Sequence, residues 1–302
     1  MYKKIREIPA GFDSPTALPR TEKESALWQK QNRTWWENHP MRYDWNDKIQ
    51  HEEFSRGFFD EIDRRFFASA ERYLPSTRLP FDQLIPFDSL PQLDVLEIGV
   101  GNGSHAALLA KHAKSFIGVD LTDYAVRATT ARLKVFGLEG RVLQMDAEQL
   151  TLPDESVDLV WTWGVIHHSS NTRKILEQMR RVLRPGGKAF VMIYYRNLWE
   201  YYVRLGLMRS IQRGWSKSIH DRIQTGTDGG LARFYTIREW EQLCGDLFAV
   251  DETRIMGQKA GVVPIPGKLG LMAQELIPDG VTRFLTNTLR LGQFLVAEMT
   301  RR

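Results

Sequence analysis

The sequence predicts an α/β protein built on a doubly wound, mostly parallel sheet. Three observations carry this. Val95-Leu96-Glu97-Ile98 is a short apolar run, long enough for a buried strand, and it stops at a glycine cluster. Gly99, Gly101 and Gly103 then alternate with other residues, and Ala106 to Ala113 has a helical pattern. Phe116-Ile117-Gly118-Val119 is a second apolar run ending in Asp120, 21 positions after Gly99. A strand, glycine loop, helix, strand and acid in this order form a nucleotide-binding unit. The glycines let backbone approach a ligand, and an acid at the second strand's end can accept hydrogen bonds from ribose hydroxyls.

The other elements follow in order. Thr21 to Glu37 is a helix, with Thr21 as N-cap candidate and Glu24 three positions on, and Phe54 to Tyr73 is a second. Residues 1–20, with three prolines and a glycine, are expected as an extended or loosely ordered arm. Beyond Asp120, Ala125, Thr129, Leu133 and Phe136 mark a helix closed by Gly137 and Gly140. Arg141–Met145, Leu159–Trp163, Lys188–Tyr195, Phe248–Met256 and Leu291–Met299 are strands, and Asn171–Leu183 is the helix before the fifth. Leu198–Ile211 is an aromatic helix, and Thr236 with Glu239 forms a capping box for a helix to Cys244. This divides the chain into an N-terminal arm and helical cap, residues 1–90, and a core, residues 91–302, with insertions at about 196–235 and 257–290.

Composition narrows the function. A chain of 302 residues can bury a substantial core. Its net charge of +4 is spread without a run of five basic residues, so no nucleic-acid partner is expected. The single cysteine, Cys244, excludes an internal disulfide and fits a reducing, cytoplasmic location. No apolar stretch of membrane-spanning length occurs, and the N-terminus lacks a signal peptide's apolar core. Residues 260–290, with Val262-Val-Pro-Ile-Pro and an amphipathic run, fit packing on the sheet, a homodimer contact or peripheral contact with lipid. No metal-ligand spacing is present, and none is expected to be bound.

A dinucleotide fingerprint would place glycine at 104, where Ser104 stands. Glu97-Ile-Gly99-Val-Gly101-Asn-Gly103 instead resembles the first motif of class I S-adenosylmethionine-dependent methyltransferases. Asp146-Ala-Glu148, the Pro153–Val160 turn, Val165-Ile-His-His168 and Leu183-Arg-Pro-Gly-Gly187 follow in register and resemble the small-molecule branch of that family, which includes ubiquinone and menaquinone biosynthesis methyltransferases. The resemblance covers residues 94–195 and implies a Rossmann-like seven-stranded sheet whose last strand is antiparallel. It implies S-adenosylmethionine as cofactor, with Asp120 on the ribose and Asp146 on the adenine amine. Ala147 would offer its backbone amide, Leu121 would pack on adenine, and Glu97 would steady the loop or orient the methionine amino group. Gly99, Gly101 and Gly103 would wrap the methionine half, with Trp163 at the cofactor end of the fourth strand.

Methyl transfer from a sulfonium chiefly needs an acceptor held in line, and a hydroxyl acceptor also benefits from a base such as histidine. His167 and His168 end the fourth strand and are the candidates for that base. Trp35, Trp36, His39 and Tyr43, in an aromatic cluster running to Trp45, together with Tyr194, Tyr195 and Tyr235, are candidate acceptor-lining residues. The Asn/Asp-Pro-Pro-Tyr/Phe signature of nucleobase and amine enzymes of the family is replaced by Trp161-Thr-Trp-Gly164. The expected activity is methylation of a small, apolar or aromatic acceptor, with oxygen favoured over carbon. An RNA methyltransferase and a non-catalytic nucleotide-binding module are the alternatives, and a monomer or homodimer is expected.

Overall fold

The computed structural model describes residues 8–44, 47–207, 218–262 and 267–302. Trp45, the end of the aromatic helix beyond Leu207 and the Val-Pro-Ile-Pro segment at 263–266 lie outside them.

Seven strands form one sheet in the order β3-β2-β1-β4-β5-β7-β6. They are β1 Asp94–Ile98, β2 Ser115–Asp120, β3 Arg141–Gln144, β4 Val157–Trp163, β5 Leu183–Tyr194, β6 Phe248–Met256 and β7 Phe294–Arg301. β1 to β5 are mutually parallel, and β7 inserts antiparallel between β5 and β6. The sequence order reverses between β1 and β4, the switch point at which doubly wound sheets open a ligand crevice. β5 begins at Leu183 rather than 188, because Leu183 pairs with Val157 across an irregularity before the regular ladder starts at Lys188. β7 begins later than its apolar run suggests, at Phe294, since Gly292 packs against the backbone of Met256 and Gly257.

Helices cover both faces. α1 is Glu22–Asn38, α2 Arg56–Glu71, α3 Ser104–His112, α4 Asp123–Phe136 and α5 Thr172–Val182. α6, Leu198–Leu207, is π-helical, and α7 (Ile219–Gln224) and α8 (Ile237–Cys244) follow. α9 Lys259–Val262, α10 Gly267–Leu276 and α11 Asp279–Arg283 lie between β6 and β7. α5 shows how pattern becomes packing: Ile175, Leu176, Met179 and Val182 fall on one stripe and bury against Val160, Val191 and Trp240. On the opposite face Leu109 of α3 and Phe66 of α2 pack on Trp161 and Phe190. Each apolar side chain buried this fully contributes roughly 1.5–3 kcal/mol. Caps end the helices where the sequence places them: Thr21 accepts from Glu24 N, and the Thr236–Glu239 capping box is closed in both directions.

Of the arm expected to be extended or loosely ordered, residues 8–20 are described; they form no helix or strand and pack on the body of the protein. Phe12 is buried edge-on against Trp28 beside Leu231. Arg233, itself buried, donates to the carbonyls of Ala17, Ser169 and Ser170, clamping residues near 17 to the loop after β4. α1 is therefore docked across the carboxyl ends of the strands. Its Glu37 accepts from Asp123 N and Tyr124 N at 2.9 and 3.0 Å, so a carboxylate from the cap tops the N-terminus of α4.

Candidate functional site

A cavity of about 460 Å³ lies across the carboxyl ends of the sheet. That volume falls in the range of small-molecule sites, roughly 300–1,000 Å³. Its wall runs from the loop after β1, past the ends of β2 and β4, to β5, β7 and β6.

At one end Gly99, Gly101 and Gly103 all take positive φ. At Gly101 a Cβ would meet no atom beyond its chain neighbours within 4 Å, so the loop stands clear at that point. Side chains of α4 hold the loop from behind. Thr129 Oγ1 donates to Gly101 O at 3.2 Å, and buried Arg132 donates through Nε to Asn102 O at 2.6 Å and through Nη1 to Asp63 at 2.7 Å. Asn102 Nδ2 donates to Met41 O at 2.8 Å, tying the N-terminal cap to the same loop.

Asp120 closes β2 on the cavity wall. Its Oδ1 accepts from Thr122 N and Oγ1, and its Oδ2 from Gly101 N at 3.2 Å. Burial raises its carboxyl above the usual range, and these hydrogen bonds oppose the rise. Glu97 is buried beside it, and burial together with the Asp120 charge holds its carboxyl well above the ordinary value. Glu97 Oε2 is buried with no hydrogen-bond partner among the described residues. A buried acceptor left open next to a cleared glycine cradle fits a ligand that brings a donor to that point. The residues present thus fit S-adenosylmethionine, whose methionine end carries an ammonium group.

Leu121, Ala147 and Trp163 also line the cavity. Asp146 does not; its Oδ1 accepts from Gln29 Nε2 at 2.8 Å and from Glu148 N at 2.9 Å, and Gln29 stands on the wall in its place. His105, in the first turn of α3, lines the cavity within a box of Phe66, Phe81, Trp161 and Trp163. Burial lowers its pKa to about 3.

The two histidines after β4 part company. A short turn, Ile166–His168, puts them at different depths. His167 is completely buried off the cavity, with neither ring nitrogen hydrogen-bonded among the described residues. Burial first, then the neighbouring His168 and Arg233, drives its pKa well below the usual value. His168 lines the cavity and donates Nδ1–H to Leu231 O at 2.7 Å. In the neutral ring that bond assigns the lone pair to Nε2. Trp36 meets His168 edge-on at 5.1 Å, and Tyr194 stands edge-on at 5.5 Å.

Of the residues expected to line an acceptor pocket, Trp36, Tyr43 and Tyr194 stand on the wall of the cavity. Trp35 and His39 stack on each other at 4.3 Å off the wall, since neighbouring helix positions point about 100° apart. Tyr195, the residue after β5, packs instead against the core cluster that includes Tyr235. Tyr235 is buried in the core with its hydroxyl on Thr172 Oγ1 at 3.0 Å. The cavity also recruits Gln29, Tyr73, Glu200, Arg204, Gln258 and Gln293, none of which has a local sequence signal. Thr122, which caps α4 by accepting from Ala125 N, lines the cavity as well.

Residues 96–191 match the methyltransferase domain family Methyltransf_11. This stretch is a class I S-adenosylmethionine-dependent methyltransferase domain. The domain is 33% identical over 102 residues to an uncharacterized methyltransferase, YcgJ, of Bacillus subtilis (strain 168), covering 33% of this chain and 40% of that one. It is 31% identical over 146 residues to 27-O-demethylrifamycin SV methyltransferase of Amycolatopsis mediterranei (strain S699), covering 47% and 51%. A third relative, phthiotriol/phenolphthiotriol dimycocerosates methyltransferase of Mycobacterium tuberculosis (strain ATCC 25177 / H37Ra), is 36% identical over 95 residues, covering 31% and 34%. The matches thus span 34–51% of these relatives' lengths. The fold resembles that of a putative methyltransferase solved in complex with the Haloferax volcanii Trm112 methyltransferase activator. That alignment has TM-score 0.50 and 18% identity, over 79% of this chain and 92% of that one. No helix among the described residues is long and apolar enough to cross a membrane.

Proposed function

We propose that the protein transfers a methyl group from S-adenosylmethionine to an oxygen of a small, largely apolar acceptor, with His168 as general base. The observation that carries this reading is the placement of His168: on the cavity wall at the end of β4, its Nδ1–H held by Leu231 O and its ring between Trp36 and Tyr194. When bound, S-adenosylmethionine supplies a methyl group already made electrophilic by its sulfonium.

The glycine loop and Asp120 would hold the ribose and methionine half, with Glu97 Oε2 accepting from the ammonium. Leu121 would pack on the adenine ring and the Ala147 amide would donate to it. Asp146, engaged by Gln29, would reach the adenine amine only through exchange of that bond, so Gln29 shares the position. The remaining cavity, over β5 and β7, would take the acceptor between Trp36, Tyr43, Tyr194 and Phe294. Nε2 of His168 would accept the acceptor's hydroxyl proton as the oxygen gains its methyl, and the Leu231 carbonyl stabilises the imidazolium that results. The Trp36 and Tyr194 rings exclude water from that proton. Proximity within such a site is worth on the order of 7–11 kcal/mol, so the base adds to a reaction driven mainly by positioning. One relative, whose name gives a 27-O-demethyl compound, supports oxygen as the acceptor atom.

The test has two stages. Isothermal titration with S-adenosylmethionine should give saturable binding. Incubation of the protein and labelled cofactor with fractionated metabolites, read by mass spectrometry, should give a product heavier by one methyl group. Binding without any turnover would favour a non-catalytic module, and no binding would remove the reading altogether.

A further inference from the structure

The far end of the cavity, over β6 and β7, is built differently from the rest. Gln258 follows β6, Gln293 precedes β7, and Glu200 and Arg204 descend from α6; all four line the cavity. Glu200 and Arg204 form an ion pair one helical turn apart, and Glu200 is 2% exposed. Both guanidinium contacts go to the two oxygens of the same carboxylate, so the pair is closed on itself and presents no net charge.

Beside it runs a chain of neutral groups. Gln293 Nε2 donates to Gln258 Oε1 at 3.4 Å, and Gln258 Nε2 donates to Ser69 Oγ at 3.4 Å. The chain ends at Gln293 Oε1, a buried oxygen with no partner among the described residues. Gly261 lies directly beneath that oxygen, and a Cβ there would collide with it. Gly261 is fixed in turn, its carbonyl taking the Trp199 Nε1 proton at 2.9 Å and its amide donating to Gln258 O. Leaving such an acceptor unsatisfied costs about 1–3 kcal/mol, so it calls for a partner in the working complex.

The chain can also run in reverse. Ser69 Oγ is donor and acceptor alike, and both carboxamides can turn over, which would leave Gln293 Nε2 as the open end. Either sense offers one neutral hydrogen-bonding group. Neither offers a charge.

We infer that the acceptor carries an uncharged hydroxyl or amide group at the end remote from the transferred methyl, and that Gln293, backed by Gln258, recognises it. This rests on the reading of the cavity as a methyltransferase acceptor site. The body of the molecule lies between Tyr194, Phe294 and Tyr73, and the neighbouring Glu200–Arg204 pair, neutral as a whole, offers an anionic end no net countercharge.

Three probes test this in protein saturated with S-adenosylhomocysteine, read by isothermal titration. They are 4-phenylphenol, 4,4′-dihydroxybiphenyl and 4′-hydroxybiphenyl-4-carboxylate. The dihydroxy probe should bind about fivefold more tightly than 4-phenylphenol, the value of one neutral hydrogen bond, and the carboxylate should bind most weakly. Gln293→Leu should erase the preference for the second hydroxyl while 4-phenylphenol binds as before; Gln258→Leu should give the same result should the first variant fold poorly. Tightest binding by the carboxylate, equal preference in wild type and both variants, or no binding of any probe would overturn the proposal. S-adenosylhomocysteine affinity, measured first, separates these outcomes from failure of the cofactor reading itself.

Discussion

Gly229 lies so close to His168 that a methyl group at position 229 would collide with Nδ1, the atom that donates to Leu231 O. Gly229 also takes φ +88°, where a side chain is strained. Leu231 O thereby sets the tautomer of the proposed base, and the bare Cα of Gly229 leaves its ring room. Gly229→Ala should therefore lower kcat on the order of 10- to 100-fold while leaving cofactor affinity within about twofold. It should also cost about 1–2 kcal/mol of stability. Initial rates beside a cofactor titration check this; a folded variant with unchanged kcat would detach the placement of His168 from turnover.

Substituting the two histidines should separate them. His168→Ala should slow turnover by roughly 100- to 10,000-fold with little change in cofactor affinity, the usual range for a lost general base. His167→Ala removes a fully buried ring packed at 4.1 Å against Tyr194, so its main effect should be a lower Tm. Equal kcat losses in the two variants, each with wild-type Tm, would contradict the assignment.

Glu97 should couple binding to protons. Burial and the Asp120 charge raise its carboxyl well above the ordinary range, so the unliganded protein holds a proton there to unusually high pH. A cationic amine at Oε2 would favour the carboxylate and expel that proton. Titrations with S-adenosylmethionine in buffers of different ionisation enthalpy should show proton release, and Glu97→Gln should abolish it. The same raised pKa makes Glu97 a stabilising group at low pH whose contribution is lost as pH rises through its folded value. Glu97→Gln should then be at least as stable as wild type at neutral pH, by urea unfolding. Proton uptake on binding, or a variant markedly less stable at neutral pH, would count against a ligand-facing Glu97.

The half of the cavity proposed for the cofactor was legible in the sequence, because its groups are local. Gly99, Gly101, Gly103 and Asp120 lie within one strand-loop-helix-strand unit, and buried parallel strands show as continuous apolar runs. The acceptor half was legible only in part. Tyr194 and Tyr195 share a composition signal, but only one of them stands on the cavity wall, and the sequence alone does not say which. Trp35 and Trp36 divide in the same way on α1. Gln29 reaches the wall from α1, while Gln258, Gln293 and the Glu200–Arg204 pair come together only because α6 and the ends of β6 and β7 converge, and nothing in their flanking residues announces either. The docking of residues 8–20 was likewise hidden, since Arg233 anchors Ala17 from 216 positions away.

Acid should weaken the fold through two histidines. His105 and His167 are buried and neutral, with His105 lowered from 6.5 to about 3 and His167 driven well below 6.5. In the unfolded chain both take up a proton as pH falls through about 6.5, whereas the folded protein resists until far lower. Their stabilising contribution is therefore complete above pH 6.5 and is lost as pH drops toward the folded values. Each costs about 1.4 kcal/mol per pH unit across that window. Denaturant midpoints measured from pH 7 to 4 should fall for the wild type, after allowing for the opposite trend of Glu97 and Asp120. His105→Leu keeps the aromatic box apolar while removing one proton site, so its midpoint should fall less steeply over the same range. Parallel slopes for the two proteins would show that His105 titrates normally in the folded state and would place it outside the buried box of Phe66, Phe81, Trp161 and Trp163.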